Sequence, residues 1–479
     1  MFELTKRLID SLNLNKIQFC HWKSNVLLNE ALAGYDDLDL LVNRTQAHNF
    51  ESIILKLGFK EAANKTLSFQ GVKHFYGFDK NSGEILHLHV YYQIKTGPSW
   101  TKFLRLDIED YVFENLERHD SGIMIPAKHI ELVVFVFRVL MKNTKLNEYL
   151  LLTKEKERIE REIIYLSENC DQDKLEAFLK LFFKGISLNK FRSYLEIISN
   201  ASALRRYYYA LDCKRRLRKY IYQGELNNIL SNINQAAYRI FNRLFWHQKK
   251  ILGSGGMIIV ITGLDATGKS TLTCEINKWL GGNFSTALFH FGKPPATLIS
   301  FPIRLLIWLS RVLNPKSGSK RISLKSNGHH ASLFYAFRQV VLAYERYHLS
   351  RKIWRKASYG SIVICDRYKS ESIGVMDSCR LSIDNFTGLK RMLAKLENKF
   401  YRLIHEPDLM LNLTVPIEVA VLRNEKRIKQ GKESEEFLRL RYAQNSNINY
   451  KAKSLARIDT NRIYSDVLVD VKTKIWEYL

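Results

Sequence analysis

The chain has 479 residues, 46% of them hydrophobic and 25% charged, and its formal net charge is +26. A chain of this length is too long to fold around one hydrophobic core, so we exclude a single small domain and predict two or three domains. The positive balance favours polyanionic partners, namely nucleotides, nucleic acid or an anionic membrane surface, although a solvated basic exterior would produce the same composition.

The cysteines and the apolar stretches indicate the cellular compartment in which we expect the protein. The six cysteines have neither metal-ligand nor redox spacing, so we expect reduced thiols in a cytoplasmic protein. The first residues form an amphipathic pattern, and no signal peptide is expected. The most apolar stretch, residues 298–313, is interrupted by Arg304 and Arg311, so we expect no membrane span. Peripheral association with a membrane is left open.

Residues 1–128 alternate short helical and strand patterns, which predicts a compact α+β domain. Helical spacing covers residues 2–14 and 46–57, and strand patterns occur at residues 16–22, 38–42, 73–78 and 85–94.

Residues 129–252 are predicted to form a basic helical connector, because strand patterns and glycine are scarce there. Within it, residues 204–222 interleave arginine and lysine with tyrosine. Such a segment can bind nucleic acid or an anionic membrane. We favour the alternative, a basic helical face whose tyrosines pack on neighbouring elements.

Residues 253–479 begin with a glycine-rich joint and the apolar run MIIVIT, which is typical of a buried parallel strand. The sequence GLDATGKST follows at residues 263–271 and then a helical pattern, so the strand–loop–helix context of a P-loop is present. Its glycines allow backbone amides to surround phosphate oxygens, and the following helix presents its positive end. The predicted ATP-binding residues are Gly263, Asp265, Ala266, Thr267, Gly268, Lys269, Ser270 and Thr271.

Two of these side chains have distinct predicted roles. Lys269 is predicted to contact the β- and γ-phosphates, and Ser270 to offer its hydroxyl to Mg²⁺. A second buried-strand pattern, residues 361–365, ends in Asp366 and Arg367. A carboxylate at the carboxyl end of a parallel strand lies at the ligand-binding edge of the sheet, so Asp366 is predicted to help hold Mg²⁺ and Arg367 to reach an anionic acceptor.

The phosphate loop, the Tyr-Glu-Arg run ending at Arg346 and the Asp-Arg-Tyr segment after the second strand together resemble thymidylate kinase. The resemblance covers about 220 residues and implies an α/β P-loop kinase domain with a parallel sheet and flanking helices. It also implies that Asp265, Arg346 and Arg367 bind the acceptor. The family lid would lie near Arg423 and Arg427, one helical turn apart. Because position 266 is alanine, a lid arginine is expected to neutralise the transferred phosphoryl group.

The sequence departs from thymidylate kinase on the acceptor side. Residues 289–295, FHFGKPP, replace the family's acceptor-binding segment, and an insertion-like stretch follows. We therefore expect an intact donor site and a rebuilt acceptor site, with dTMP a poor substrate.

The N-terminal domain carries Asp37 and Asp39 two positions apart, so both carboxylates face one side of a strand. Together with a later strand containing His87 and His89, this resembles an uncharacterised nucleotidyltransferase-like family. The resemblance implies that Asp37 and Asp39 hold a divalent metal. The carboxylate expected on the later strand is replaced by histidine, so an active transferase, an altered one and a binding module all stay open.

Together these features predict an ATP- and Mg²⁺-dependent phosphotransferase acting on a nucleoside monophosphate or another small phosphorylated, sugar-like or glycan-like acceptor. The alternatives are a nucleotide-responsive effector that binds nucleic acid or an anionic membrane, and a nucleotidyltransferase active in its N-terminal domain.

Overall fold

The structure is a computed structural model that describes residues 1–64, 66–144, 156–168, 170–200, 202–298, 300–305, 332–426, 434–445 and 448–479. The chain forms two compact units, Met1–His247 and Gln248–Leu479. All six cysteines are free thiols.

A mixed sheet organises the N-terminal unit. Its spatial order is β1-β2-β5-β4-β3, with β2 and β5 parallel and the other neighbours antiparallel. Register places Asp39 beside His89, and His89 in turn beside His74. The strands of this unit are β1 (Phe19–His21), β2 (Leu38–Val42), β3 (Lys60–Ala63), β4 (Val72–Asp79), β5 (Glu84–Tyr91), β6 (Ile94–Thr96), β7 (Leu104–Leu106), β8 (Leu116–Arg118) and β9 (Met124–Pro126).

The helices of the N-terminal unit cluster in its second half. They are α1 (Glu3–Leu14), α2 (Leu28–Leu32), α3 (Ala47–Lys56), α4 (Glu109–Glu114), α5 (Lys128–Lys142), α6 (Lys156–Ser167), α7 (Gln172–Phe182), α8 (Leu188–Asn200), α9 (Ala203–Arg216) and α10 (Glu225–Phe241). The almost wholly helical character predicted for the middle of the chain agrees with these bounds.

Helix α5 explains why residues 1–128 and the helical segment after them form one compact unit rather than a domain and a separate connector. Most of its side chains are buried, from Ile130 to Met141, because apolar residues occupy nearly every face of the helix. One hydrophobic cluster joins strand residues such as Leu41 and Tyr91 to helical residues such as Phe137 and Phe178.

The basic aromatic segment 204–222 divides its tyrosines between core and surface. Tyr209 and Tyr220 pack against the hydrophobic cluster, and the hydroxyl of Tyr220 donates to the carbonyl of Phe182. Tyr207 and Tyr208 are exposed. Tyr222 is exposed as well, so two of the five tyrosines have the packing role that we favoured, and binding of nucleic acid or membrane by the others stays a hypothesis.

The C-terminal unit contains a five-stranded, all-parallel sheet in the order β12-β13-β11-β14-β15. This confirms the parallel α/β fold predicted for the unit. Its strands are β10 (Ile251–Leu252), β11 (Met257–Gly263), β12 (Thr286–His290), β13 (Ile362–Asp366), β14 (Leu409–Thr414) and β15 (Ser454–Asp459). Every residue of β11 is buried, as expected for a central strand covered on both faces.

Helices flank this sheet and position its carboxyl edge. They are α11 (Lys269–Asn283), α12 (Leu333–Ser358), α13 (Gly388–Arg402), α14 (Ile417–Glu425), α15 (Glu435–Gln444) and α16 (Tyr464–Tyr478). The apolar stretch predicted at residues 298–313 lies largely outside the described residues. Within the described part of the chain, no helix is long and apolar enough to cross a membrane.

Candidate active site in the C-terminal unit

The loop between β11 and α11 has the backbone of a phosphate-binding turn. Gly263 has a φ of 144°, Ala266 one of 62° and Gly268 one of 90°, and helix α11 begins directly afterwards at Lys269. Positive φ values suit glycine and are unusual for alanine, so the turn departs from ordinary backbone at Ala266. The loop lies at the carboxyl end of the central strand, where ligands of open parallel sheets bind.

Lys269 is held inside this loop. Its side chain is buried, and its ammonium donates to the carbonyl of Leu264 and lies 3.4 Å from the hydroxyl of Thr267. The Thr267 hydroxyl donates to the same carbonyl at 2.8 Å. Ser270 and Thr271 follow in the first turn of the helix, and Ser270 is exposed to solvent. The lysine is therefore positioned by the loop itself.

Asp265 links the phosphate loop to two arginines. Its carboxylate lies 3.2 Å from a guanidinium nitrogen of Arg367 and 2.7 Å from one of Arg441, and its backbone carbonyl accepts from the hydroxyl of Tyr442 at 2.8 Å. Arg441 and Tyr442 lie on α15 and were missed from the sequence. Their one sequence signal is the Arg-Tyr pair on the helix that follows the predicted lid.

The two arginines predicted to bind the acceptor are joined by a third residue. Asp377 lies 3.0 Å from Arg346 and 3.7 Å from Arg367, and Arg346 also donates to the hydroxyl of Tyr401. Arg346 is buried, whereas the side chain of Arg367 is one-fifth exposed. Asp377 was not predicted, because no local pattern marks it. The structure thus brings Asp265, Arg367 and Arg346 into one chain of ion pairs.

Asp366 stands at the end of β13, beside the phosphate-loop strand. Its Oδ1 atom is buried and has no hydrogen-bond partner among the described residues, and its Oδ2 atom lies 3.6 Å from Nδ1 of His290. A buried carboxylate oxygen without a donor is costly unless a ligand or cation completes it. The site therefore fits a cation at this edge of the sheet.

The predicted lid arginines are placed differently. Arg423 donates at 2.7 Å to the backbone carbonyl of Thr460 and at 3.3 Å to its hydroxyl, so it joins α14 to the end of β15. Arg427 lies outside the described residues. Among the described arginines of this region, Arg441 rather than Arg423 contacts the phosphate loop.

The segment that departs from thymidylate kinase is partly built into the core. Phe291 is buried against Tyr368, with ring centroids 4.6 Å apart, and the Arg346 guanidinium lies 5.8 Å from its ring. Nearby, Ser300 donates at 2.6 Å to the buried carboxylate of Glu345, which Arg304 also contacts. Phe291 of the rebuilt segment thus lies against Arg346, while Ser300 and Arg304 contact the neighbouring Glu345.

In the N-terminal unit, the two predicted metal ligands contact histidine and lysine side chains. Asp37 lies 2.5 Å from Nδ1 of His87, and Asp39 lies 2.9 Å from the Lys23 ammonium and 3.0 Å from Nδ1 of His89. Burial opposes ionisation of Asp39, but Lys23 and His89 outweigh it and lower its pKa, while burial lowers the pKa of His89 to about 3. Among the described residues, no three His, Cys, Asp or Glu side chains form a group suited to a metal ion.

Comparison with known proteins bears on the C-terminal unit. The thymidylate kinase family model matches residues 261–471. An uncharacterised ATP-binding protein, YghR of Escherichia coli K12, is 28% identical over 222 residues, which cover 44% of this chain and 83% of YghR. Thymidylate kinase of Mesomycoplasma hyopneumoniae strain J is 27% identical over 226 residues, 44% of this chain and 92% of that enzyme. The strain 7448 thymidylate kinase is 31% identical over 129 residues, 26% of this chain and 57% of that enzyme.

The family match begins within β11 and ends within α16, so it contains the phosphate loop, Asp366, Arg367 and Arg441. The nucleotidyltransferase resemblance of the N-terminal unit stays a prediction. The C-terminal region, residues 261–471, is confirmed as similar to thymidylate kinase.

Proposed function

We propose that the C-terminal unit transfers the γ-phosphoryl group of ATP to a nucleoside monophosphate or to another small phosphorylated or sugar-like acceptor. The observation that carries this proposal is the phosphate-loop carboxylate Asp265 held between Arg367 and Arg441. This arrangement puts two cations beside the loop that binds the donor. The similarity to thymidylate kinases and to an ATP-binding protein supports the same chemistry.

The donor side uses the loop and its lysine. Backbone amides of the loop and the amino end of α11 would surround the β- and γ-phosphates. Lys269 would exchange its contact with the Leu264 carbonyl for a phosphate oxygen, which is the stronger, charge-assisted partner. Because Lys269 is already buried and oriented, little side-chain entropy remains to be lost on binding.

Mg²⁺ would be held by the Ser270 hydroxyl and by Asp366, whose buried Oδ1 has no other partner among the described residues. When bound, the ion neutralises charge on the β- and γ-phosphates. His290, 3.6 Å from the other oxygen of Asp366, orients that carboxylate.

Arg367 is the main acceptor-binding residue in this proposal. Arg367 would bind an anionic group of the acceptor, and Asp265 would accept a hydrogen bond from an acceptor hydroxyl. Arg346 is buried on Asp377 and Tyr401, so it would act by positioning Arg367 through Asp377. Arg441 would stabilise negative charge on the phosphoryl group during transfer. Arg423, which was predicted to be catalytic, instead stabilises the fold in this proposal by joining α14 to the end of β15.

The test is a screen of the purified full chain with radiolabelled ATP and Mg²⁺ against nucleoside monophosphates, sugars, sugar phosphates and glycan fragments. We expect label transfer to at least one acceptor and none with Lys269→Ala. The matched control is Lys278→Ala on the same helix, which should transfer normally. Transfer by Lys269→Ala at the wild-type rate, in a folded protein, would contradict the proposal.

The departure at residues 289–295 favours an acceptor other than dTMP, because polar contacts built for one ligand reject another that leaves them unpaired. We therefore expect kcat/KM for dTMP to lie below the usual enzyme range of about 10⁴–10⁸ M⁻¹s⁻¹. A value within that range would show that the departure does not set selectivity.

A further inference from the structure

A polar cavity of about 420 Å³ lies in the N-terminal unit. Its walls come from strands β2, β4 and β5 and from helices α5 and α6, together with the segments 22–24, 36–37, 67–69 and 95–102. Small-molecule sites commonly have volumes of about 300–1,000 Å³, so this cavity is large enough for a metabolite.

Cationic side chains outnumber carboxylates around the cavity. The cationic residues are Lys23, Lys95, Lys102, Arg138, Lys142 and Arg158, and the carboxylates are Asp36, Asp37, Asp39 and Glu162. The lining is therefore net positive.

Each carboxylate of the cavity already contacts a lysine, arginine or histidine side chain. Lys23 lies 2.9 Å from Asp39, Arg158 lies 3.1 Å from Asp36, and Arg138 lies 2.8 Å from Glu162. Asp37 is bound by His87 at 2.5 Å. A divalent cation could bind these carboxylates only by displacing their lysine, arginine and histidine partners, whereas an anion could bind in the cavity without breaking these contacts.

Lys102 contacts neutral groups. Its ammonium donates to the hydroxyl of Tyr91 at 2.8 Å and lies 5.2 Å from the ring centroid of Phe69. Burial and the nearby Lys23 lower its pKa to about 7, because Asp39 compensates the charged form only in part. An anion in the cavity would provide that compensation.

Two further residues of the lining have buried ring nitrogens without a hydrogen-bond partner among the described residues, namely Nε1 of Trp22 and Nε2 of His89. Buried polar atoms are usually satisfied, by protein, water or ligand. Trp22, Phe69 and Tyr91 also provide aromatic surface against which the organic part of a ligand can pack.

We propose that this cavity binds a small phosphorylated molecule through its phosphate group, without a divalent metal. Lys102 and Lys142 contact the phosphate, to which their ammonium groups donate charge-assisted hydrogen bonds. The site is independent of the phosphate loop, and it differs from the metal site predicted at Asp37 and Asp39 because those carboxylates serve to hold bases in place.

The test is calorimetric titration of the full chain carrying Lys269→Ala, in EDTA, with inorganic pyrophosphate, AMP and glucose 1-phosphate in separate arms. The Lys269→Ala background removes the phosphate-loop lysine. We expect saturable binding of at least one ligand, and a loss of about 10-fold or more in affinity with Lys102→Met or Lys142→Met, the effect of one charge-assisted contact. Lys56→Met, an equal charge change at an exposed position of the same unit, should change affinity less than 2-fold.

The three arms distinguish the source of the phosphate, since a nucleotide, a sugar phosphate and a free diphosphate share only that group. Methionine approximates lysine in volume, and a thermal melt checks that each variant is folded. The proposal is overturned by absence of saturable binding in all arms, by equal losses in Lys56→Met and the cavity variants, or by binding that requires added Mg²⁺.

Discussion

Replacing Gly263 by alanine tests whether the first glycine of the phosphate loop is required by the fold itself. A Cβ built at Gly263 would lie 2.4 Å from the backbone carbonyl oxygen of Leu413, about 1 Å inside ordinary van der Waals contact. Leu413 is the register partner of Gly263 on β14, so the clash falls on the central pair of strands.

The magnitude follows from two contributions. A φ of 144° is nearly restricted to glycine, and forcing alanine into such a region costs about 1–3 kcal/mol. Separating β11 from β14 to relieve the clash costs a further 1–3 kcal/mol, roughly the penalty of overpacking a core. The unfolding free energy of the C-terminal unit should therefore fall by about 2–6 kcal/mol.

Gly268→Ala is the matched control, because Gly268 also has positive φ, 90°, while its Cβ would meet no described atom within 4 Å. Only backbone strain remains, about 1–2 kcal/mol. Hydrogen exchange by mass spectrometry reports each unit separately, so amides of β11 and β14 should exchange much faster in Gly263→Ala than in Gly268→Ala. Equal exchange in the two variants would refute the argument from the Leu413 contact.

Three further predictions address single side chains. Asp366→Asn should keep the fold and lower kcat by about 10²–10³-fold, with a higher Mg²⁺ requirement measured by titrating the ion at fixed ATP; unchanged Mg²⁺ dependence would contradict its role. Arg441→Gln should lower kcat at least as strongly, while Arg439→Gln on the exposed side of the same helix should not, and equal rates in both would remove Arg441 from the site. Lys102 has a pKa of about 7 in the folded protein and about 10.4 in the unfolded chain, so between these pH values the unfolded chain binds more protons. The free energy of unfolding contributed by Lys102 should therefore increase as pH rises through this range, by up to about 1.4 kcal/mol per pH unit. Urea unfolding at pH 7, 8 and 9 should show that contribution in wild type and not in Lys102→Met, and parallel pH profiles would contradict it.

The phosphate loop and its neighbouring strand could be predicted because the residues that build them are contiguous. Nine successive residues, 263–271, run from the end of an apolar strand into the first turn of a helix, and their conformation depends mainly on local backbone preferences. Asp366 could be placed at the ligand edge for a similar reason, since parallel strands end together.

Tertiary structure alone decided which side chains meet across long sequence separations. These contacts depend on strand order and helix packing, neither of which can be predicted from short sequence patterns. They are the ion pair of Arg441 with Asp265, the ion pairs of Asp377 with Arg346 and Arg367, and the hydrogen bonds of Arg423 to Thr460. The same holds for the bases that pair with Asp37 and Asp39. Alternation in the strand predicted that Asp37 and Asp39 face one side, but only the folded β2–β5 register set His87 and His89 against these carboxylates.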